Sequence, residues 1–369
     1  MTAKWGEITA GEIVAPIKGT LISGREDMVL TGISTDSRGI LPGQLFLALR
    51  GDRYDGHDFV DKAVDKGASC VIAEKGCLKA GAIIGPVVIE IKDGLKALGD
   101  LAAWWRQQHD VRVAAITGSV GKTTTKEMTA GILELGARTL KNMGNFNNLI
   151  GLPLTILRLQ QEDRNAVLEM GMNQPGEIDR LTEIAEPDIG LITNVARVHL
   201  EGLSDIAGVA KAKMELMERI SPEGLMILNG DDKELMRAAS RFNREVITYG
   251  LGSDNEIRAA RIRQLGNEGL SFELHYHGDS HPIRLRVPGK PNLLSALAAS
   301  AIAICMDEPI SRISTGLNSF KGIRGRFMLT PLPGDIILVD DTYNSNPASL
   351  GRRQKKVDSW TGGDDGTWR

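Results

Sequence analysis

The stretch AITGSVGKTTTKEM, residues 115–128, decides the fold of this chain. It runs from apolar residues through a glycine-containing loop into residues of helical propensity, so it predicts a strand, a loop and a helix in succession. The loop holds the Gly-Lys-Thr of a phosphate-binding loop, but the glycine before it is Gly118. The spacing is therefore GxxGKT, which is two residues tighter than the usual GxxxxGK[ST].

This loop has two interpretations, a nucleotide site or a glycine turn with an exposed lysine, and its context favours the first. Backbone N–H groups of such a turn, together with the positive end of the following helix, hold phosphate oxygens. Lys122 is suited to reach the β- and γ-phosphates, and the Thr123 hydroxyl is suited to ligate Mg²⁺. The residues predicted to bind nucleotide are Gly118, Ser119, Val120, Gly121, Lys122, Thr123 and Thr124.

On both sides of the loop, apolar strands alternate with amphipathic helices. The predicted strands are VRVAAIT (111–117), NAVLEMG (165–171), DIGLITNV (188–195), GLMILNG (224–230) and EVITYG (245–250). This alternation is typical of a mostly parallel sheet with helices on both faces, so we predict an α/β fold. Residues 255–287 predict an appended β-meander, and a buried helix is predicted near 292–306.

The first 92 residues mix short apolar runs with turns and predict a small α/β domain of their own. A helix is predicted over 94–110 as the lead into the next unit. Its apolar positions repeat at helical spacing, which predicts one buried stripe formed by Leu95, Leu98, Leu101 and Trp105.

Composition and charge restrict the class of protein. A chain of 369 residues with 42% apolar and 25% charged residues is typical of a globular protein with two or three domains. The net charge of −3 gives no electrostatic case for nucleic acid or an anionic membrane as partner. Cys70, Cys77 and Cys305 form no C-x-x-C pair and predict reduced thiols. With neither a signal-peptide pattern nor an apolar run long enough to span a bilayer, we expect a soluble, cytoplasmic protein without membrane insertion.

Two candidate metal ligands stand where predicted strands end. Glu169 ends NAVLEMG, and His199 follows DIGLITNV. Ligands collect at the carboxyl ends of strands in an open parallel sheet, and a carboxylate with an imidazole beside phosphates suits one or two Mg²⁺ ions. Taken alone, Glu169 is as readily a surface acid or a helix cap, and a histidine such as His199 is more often a hydrogen-bonded loop residue, but together they favour a metal site. Lys211, on the next predicted helix, is interpreted as part of a solvated helix face.

These segments together resemble the Mur ligase family of ATP-dependent amide-forming ligases, whose phosphate loop has the same tight GxxGK[ST]T form. The resemblance covers about residues 10–350. It is most specific to the branch that adds D-alanyl-D-alanine to UDP-N-acetylmuramoyl-tripeptide. The stretches that carry it are GNFNNLIGLPLTIL (144–157), LEMGMNQPGEIDRL (168–181), NVARVHLEGL (194–203), KAKMEL (211–216) and DDTYNSNP (340–347).

The resemblance implies ATP, two Mg²⁺ ions and a set of site residues. Thr123 and Glu169 are implied to hold one ion and His199 to help hold the second. Lys213 matches a lysine that such ligases carry as a CO₂-derived carbamate, which makes it a fourth implied metal ligand. Carbamate formation turns a cation that repels Mg²⁺ into an oxygen-donating anion. The implied catalytic residues are Lys122, Glu169, His199 and Lys213.

Substrate contacts are implied by the same resemblance. Arg326 corresponds to a γ-phosphate contact and Asp341, with Asp340 as the alternative, to a ribose contact. The family usually has His-Asn-x-x-Asn after Pro-Gly, whereas this chain keeps Asn292 for the adenine contact but has Pro291 and Ser295. The residues implied to bind the UDP-linked substrate are Ser34, Asp36, Ser37, Arg38, Asn145, Asn147 and Asn148.

The end of the chain departs from the family pattern. A Rossmann-like C-terminal domain is expected after NPASL (346–350), whereas residues 351–369 are nearly devoid of aliphatic residues and cannot build a core. We therefore predict a monomer with a UDP-sugar-binding domain at 1–92, a central ATP-binding domain at 93–329, the start of a truncated third domain at 330–350 and a disordered tail at 351–369. The expected consequence is binding of the UDP-linked substrate with impaired turnover.

Three functions remain open at this stage. The first is the peptidoglycan-precursor ligase, in which ATP phosphorylates the terminal carboxylate of the tripeptide and the amine of D-alanyl-D-alanine attacks the acyl phosphate. The second is a related ligase such as a folylpolyglutamate synthetase, against which the STDSR segment (34–38) argues. The third is a protein that binds UDP-sugar or nucleotide without catalysis.

Overall fold

The computed structural model describes residues 5, 8–51, 53–78, 85–196, 205–326, 328–332, 336–340 and 342. The chain divides into two compact units that interleave along the sequence. The first comprises Met1–Thr117, Ala137–Gly190 and Arg197–Gly224, and the second comprises Gly118–Gly136, Leu191–Ala196 and Leu225–Arg369. The domain boundaries expected at residues 92 and 329 stay predictions.

The amino-terminal part of the first unit is a small α/β sheet. Its elements are α1 (Ala10–Val14), β1 (Thr20–Ser23), β2 (Ile33–Ser34), β3 (Leu45–Leu47), a 3₁₀ turn (Gly56–Phe59), α2 (Val60–Asp65), β4 (Cys70–Glu74) and β5 (Val87–Ile91). The strand order is β1-β5-β4-β3-β2, with β1 antiparallel to β5 and the other neighbours parallel. Phe46 and Val71 pack with Val60 and Ala63, so α2 covers one face of this sheet.

The remaining elements follow in chain order. They are α3 (Gly94–Gln107), β6 (Arg112–Thr117), α4 (Lys122–Leu133), β7 (Thr139–Lys141), α5 (Gly151–Ile156), β8 (Asn165–Glu169), α6 (Glu177–Ala185), β9 (Ile189–Ile192), α7 (Ile206–Arg219), β10 (Leu225–Asn229), α8 (Lys233–Ala239), β11 (Ile247–Gly250), β12 (Ile257–Gln264), a 3₁₀ turn (Gly266–Glu268), β13 (Leu270–Tyr276), β14 (Asp279–Leu285), α9 (Lys290–Cys305), α10 (Ile310–Ser319), β15 (Met328–Leu332) and β16 (Ile336–Asp340).

In the first unit, β8 lies between β6 and β7, and all three strands are parallel. The helix α3 packs against α5 and α6. Leu98, Leu101 and Trp105 of α3 are buried as predicted, but the prediction for Leu95 is wrong because its side chain is 40% exposed. Leu95 lies on the same side of the helix as the buried Ala102, about 20° away, but two turns nearer the amino end, so on this side the covering surface ends along the helix axis. Ala97 and Ala102 belong to the buried stripe instead.

In the second unit, β10, β11 and β12 are parallel, whereas β12, β13 and β14 pair antiparallel. This arrangement confirms the β-meander predicted for 255–287. The helix α9 packs against α4 and is buried along most of its length from Leu293 to Ala303, as predicted. The parallel strands of the two units and the helices packed in each confirm the predicted α/β class.

Among the described residues, no helix combines the length and the apolar character that crossing a bilayer requires. None of the three cysteines, all of which lie in the described part of the chain, forms a disulfide, and Cys70 is fully buried.

Candidate nucleotide-binding site

The loop between β6 and α4 has the backbone conformation of a phosphate-binding turn. Gly118 has φ 141° and Gly121 has φ 91°, conformations that favour glycine. Gly121 caps the amino end of α4, so Lys122 is the first residue of that helix. The Lys122 ammonium donates to the Gly118 carbonyl at 2.8 Å, and Thr123 is buried in the first turn. The tight spacing therefore produces a compact turn followed at once by a helix amino terminus, as the sequence predicts.

A segment after β9 holds this loop in place. The Asn194 side chain accepts from the Val120 N–H at 3.0 Å and donates to the Val120 carbonyl at 2.9 Å. Thr193 Oγ1 donates to the same carbonyl at 2.7 Å. Ser119 Oγ donates to the Ala196 carbonyl at 3.2 Å and accepts from the Ala196 N–H at 2.9 Å. These bonds fix the backbone of the loop, and they already use the N–H groups of Ser119 and Val120, both of which donate to Asn194.

Sequence reasoning did not single out Thr193 and Asn194 as functional residues. The available signal was their position, because two polar residues follow directly after the buried strand β9. Asn229 donates to the Thr193 carbonyl at 3.2 Å, and Asp232 accepts from the Val195 N–H at 2.8 Å. The segment that holds the loop is therefore anchored in turn by one residue at the end of β10 and one just after it.

Glu169 ends β8 at the position that the sequence predicts. It stands in register with Ile116 of β6, two residues before the loop begins at Gly118. Its side chain is only 3% exposed. The Asn147 side chain donates to Glu169 Oε1 at 2.8 Å, and the Asn142 side chain bonds to both the N–H and the carbonyl of Glu169, each at 2.9 Å. Glu169 is thus a buried carboxylate surrounded in part by amide groups.

The three asparagines expected to bind the UDP-linked substrate have different surroundings. Asn145 is exposed. Asn148 is also exposed, and its Oδ1 accepts from the N–H groups of Ile150 and Gly151 at the start of α5. Asn147 is half-buried against Glu169. Their role in substrate binding stays a prediction.

The helix α7 buries Lys213 to 2% exposure and leaves Lys211 exposed, which confirms the prediction for Lys211. Two residues beyond Lys213, the Glu215 carboxylate accepts from the N–H groups of Gly176 at 2.7 Å and Asp179 at 3.0 Å. Those N–H groups lie at the start of α6, where a carboxylate is stabilised by the helix dipole. Glu215 therefore joins α7, the helix that carries Lys213, to the start of α6.

The predicted UDP-binding segment forms a tight turn at the end of β2. Ser34 Oγ donates to the Asp36 carbonyl at 3.0 Å and accepts from the Asp36 N–H at 3.1 Å. The Arg38 guanidinium bonds to both carboxylate oxygens of Asp36, which lowers the pKa of Asp36 to about 2. Ser37 is buried, whereas the Arg38 side chain is largely exposed. The Arg38 guanidinium is charged and exposed, although it is already paired with Asp36, and a guanidinium is suited to contact an anionic ligand.

The other predicted nucleotide contacts lie in several places. Asn292 is in the first turn of α9, where its side chain donates to the Pro288 carbonyl at 2.8 Å. Arg326 is half-buried and forms an isolated β-bridge with Ile323. Asp340 accepts from Thr342 and from the Gly325 N–H, and the Thr342 hydrogen bond is the main reason that its pKa is lowered. His199 and Asp341 lie outside the described residues.

A second group of possible metal ligands, His57, Glu74 and Cys77, comes together in the amino-terminal sheet. The His57 ring contacts Asp55 through Nδ1 at 2.5 Å, and its Nε2 accepts from the Glu74 N–H at 3.0 Å. Because a backbone N–H can only donate, His57 is the neutral tautomer with its proton on Nδ1. Both ring nitrogens are engaged, so this imidazole joins the 3₁₀ turn to β4 rather than binding an ion.

Comparison with known proteins identifies the family. The description "Mur ligase middle domain" matches residues 116–303, and "Mur ligase family, catalytic domain" matches residues 29–106. The chain is 37% identical to the UDP-N-acetylmuramoyl-tripeptide–D-alanyl-D-alanine ligase of Escherichia coli (strain K12), over 88% of this chain and 71% of that protein. Identity to the ligase of the same name from Bacillus subtilis (strain 168) is 34%, over 93% of this chain and 73% of that protein.

Solved structures agree with these matches. A crystal structure of MurF from Acinetobacter baumannii superposes with a TM-score of 0.84 at 33% identity, covering 95% of this chain and 75% of that one. MurF ligase from Thermotoga maritima in complex with ADP gives a TM-score of 0.77 at 27% identity, covering 88% and 73%. Folylpolyglutamate synthase from Mycobacterium tuberculosis, at 17% identity and a TM-score of 0.59, shares the fold alone. These matches, together with the phosphate loop and the buried carboxylate, show that the chain belongs to the Mur ligase family.

Proposed function

We propose that this chain catalyses ATP-dependent amide formation between UDP-N-acetylmuramoyl-tripeptide and D-alanyl-D-alanine. The observation that carries the proposal is its sequence match to ligases named for that reaction, over most of the chain. The compact phosphate loop supports the ATP dependence. We further propose that the protein acts as a cytoplasmic monomer.

ATP is proposed to bind at the loop. Backbone N–H groups at the amino end of α4, from Gly121 onward, would hold the phosphate oxygens. The Lys122 ammonium, which now donates to the Gly118 carbonyl, would move its hydrogen bond to the β- and γ-phosphates and neutralise their charge. Asn292, Arg326 and Asp341 are proposed as the adenine, γ-phosphate and ribose contacts.

The donor chemistry of the site residues fits Mg²⁺. This hard cation prefers oxygen ligands, and Thr123 offers a hydroxyl while Glu169 offers a buried carboxylate. We propose these two residues for one ion and His199 with Lys213 for the second. When bound, Mg²⁺ neutralises charge on the phosphoryl group that is transferred. Lys213 is buried, with 2% exposure, and we propose that it carries a carbamate, as the family resemblance implies.

The proposed chemistry has two steps. A carboxylate oxygen of the tripeptide attacks the γ-phosphorus, the bond to the ADP oxygen breaks, and an acyl phosphate forms. The amine of D-alanyl-D-alanine then attacks the acyl carbon, loses a proton and expels phosphate. No protein atom needs to bond to the substrate, so the chain supplies positioning and charge neutralisation. The turn at Ser34, Asp36, Ser37 and Arg38 is proposed to hold the UDP end, and Asn145, Asn147 and Asn148 the sugar-peptide part.

The test is release of ADP with UDP-N-acetylmuramoyl-tripeptide, ATP and Mg²⁺, with and without D-alanyl-D-alanine. Dipeptide-dependent release that Lys122→Ala abolishes and that the control Lys211→Ala retains would support the proposal, because Lys211 is an exposed residue outside the proposed site. Robust release of this kind would contradict the impaired turnover predicted from the sequence. Binding of the UDP-linked substrate without acyl-phosphate formation would favour a non-catalytic binding protein. Turnover with a folate and glutamate, but not with the UDP-linked substrate, would favour the folate ligase.

A further inference from the structure

Beyond the end of β7, the Asn142 side chain forms hydrogen bonds to β8 of the kind that the backbone of a longer strand would form. The strand ends at Lys141, which stands in register with Val167 of β8, so the backbone leaves the sheet before it can pair with Glu169. The fully buried Asn142 amide accepts from the Glu169 N–H and donates to the Glu169 carbonyl, each at 2.9 Å. A primary amide carries the same donor and acceptor groups as a peptide, so it continues the hydrogen bonding of the sheet.

The same side chain organises the turn that follows. Asn142 Nδ2 also donates to the Phe146 carbonyl at 2.9 Å, which fixes the backbone just before Asn147. The Asn147 carbonyl accepts from the Gly171 N–H at 2.8 Å, and its side chain donates to Glu169 Oε1 at 2.8 Å. One buried amide therefore holds the main chain of Glu169 and also the turn that brings a second amide to its carboxylate.

Gly171 leaves the space that this second amide occupies. A Cβ at position 171 would lie 2.8 Å from Asn147 Oδ1 and 2.9 Å from Asn147 Cγ. The backbone of Gly171 is not in the left-handed region, so an alanine there would be excluded by the Asn147 side chain rather than by its own conformation. Position 171 thus offers a way to displace Asn147 without altering it.

We propose that Asn142 and Asn147 are positioning residues that orient the Glu169 carboxylate for a divalent cation. This inference rests on the proposed function, because it takes Glu169 as a Mg²⁺ ligand. An amide is a neutral donor, so it fixes a carboxylate oxygen without cancelling the negative charge that attracts the cation. A carboxylate offers about four acceptor sites, so a hydrogen bond from one amide is compatible with metal ligation. Hydrogen bonds of this kind to a ligating carboxylate are worth about 10- to 100-fold in metal affinity or activity.

The experiment measures the affinity of the whole chain and its variants for Mn²⁺, used as the probe. Free Mn²⁺ is quantified by electron paramagnetic resonance in the presence of ADP. Asn147→Ala and Gly171→Ala should each weaken Mn²⁺ binding by about 10- to 100-fold, and Glu169→Gln should weaken it at least as much. ADP affinity without divalent cation should stay unchanged. The matched control is Asn165→Ala, which removes an amide from the other end of β8, where its Nδ2 lies 3.5 Å from Thr139 Oγ1.

Thermal unfolding of each variant separates positioning from general damage. If Asn147→Ala and Asn165→Ala lose similar stability but only the former loses Mn²⁺ affinity, the inference is supported. If both lose the same Mn²⁺ affinity, or if Gly171→Ala and Asn147→Ala bind Mn²⁺ as the unaltered chain does while Glu169→Gln does not, the inference is overturned and the proposed function stands. If the unaltered chain binds neither ADP nor Mn²⁺, the proposed function itself is overturned.

Discussion

Replacing Gly118 by alanine should disable the phosphate loop without removing any charged or polar side chain. Gly118 has φ 141°, and an added Cβ would meet Thr193 Oγ1 at 1.9 Å and Thr193 Cβ at 3.0 Å. Thr193 Oγ1 donates to the Val120 carbonyl at 2.7 Å. Because the methyl group and this hydroxyl cannot both keep their positions, the substitution must distort the loop or break the bond that holds it.

The magnitude follows from these two effects. A residue forced into such a backbone conformation costs about 1–3 kcal/mol, and the broken hydrogen bond adds about 0.5–1.5 kcal/mol. A loop that relaxes to escape this strain has to regain the phosphate-binding form when nucleotide binds. If regaining that form makes the binding free energy of ADP less favourable by about 1–3 kcal/mol, ADP affinity falls about 5- to 150-fold. Adding Thr193→Ala removes the closest contact but not the backbone strain, so the double variant should recover only part of the affinity.

The assay is calorimetric titration with ADP, together with urea unfolding. The control is Gly131→Ala in α4, where an added Cβ meets no atom within 4 Å. An alanine there should stabilise the helix by about 0.5–1 kcal/mol and leave ADP affinity unchanged. A Gly118→Ala variant with the affinity and the unfolding free energy of the unaltered chain would refute the reasoning, because the loop would then not depend on the close approach of Thr193.

Three further predictions concern other parts of the chain. The Arg38 guanidinium lowers the pKa of Asp36 to about 2, so this ion pair stabilises the fold above the ordinary Asp pKa and ceases to do so as the pH falls through about 2. Arg38→Ala should return the pKa of Asp36 towards its ordinary value, as measured by carbon NMR of the carboxyl group. Glu215→Ala should lower the free energy of unfolding by about 0.5–2 kcal/mol, because two N–H groups at the start of α6 lose their acceptor, whereas the exposed Glu218→Ala should not; urea unfolding compares the two. Lys211→Ala should change that free energy by less than about 0.5 kcal/mol, since Lys211 is exposed, and a larger loss would contradict its placement.

Much of the fold could be predicted from short stretches of sequence. Alternating apolar and amphipathic segments predicted β6, β8, β10 and β11, because burial on one or both faces imposes a period that a single segment displays. The short helices α5 and α8 were not predicted. The phosphate loop was predicted for a similar reason, since its glycines, lysine and threonine are neighbours along the chain. Leu95 shows the limit of the method, because helical spacing identifies an apolar side without locating the edge of the surface that covers it.

Residues that hold the site were not predicted. Asn194 bonds to Val120 and Asn142 to Glu169, each through a side-chain amide that pairs with backbone groups distant in sequence. Such pairing has no period and no fixed spacing in the sequence. An asparagine of this kind therefore cannot be distinguished from any other polar residue that follows a strand. Local chemistry along the chain determined the α/β class, the loop and the carboxylate at the end of β8. Which amides fix that loop and that carboxylate depends on which strands end beside each other, and this is set only when the sheet assembles.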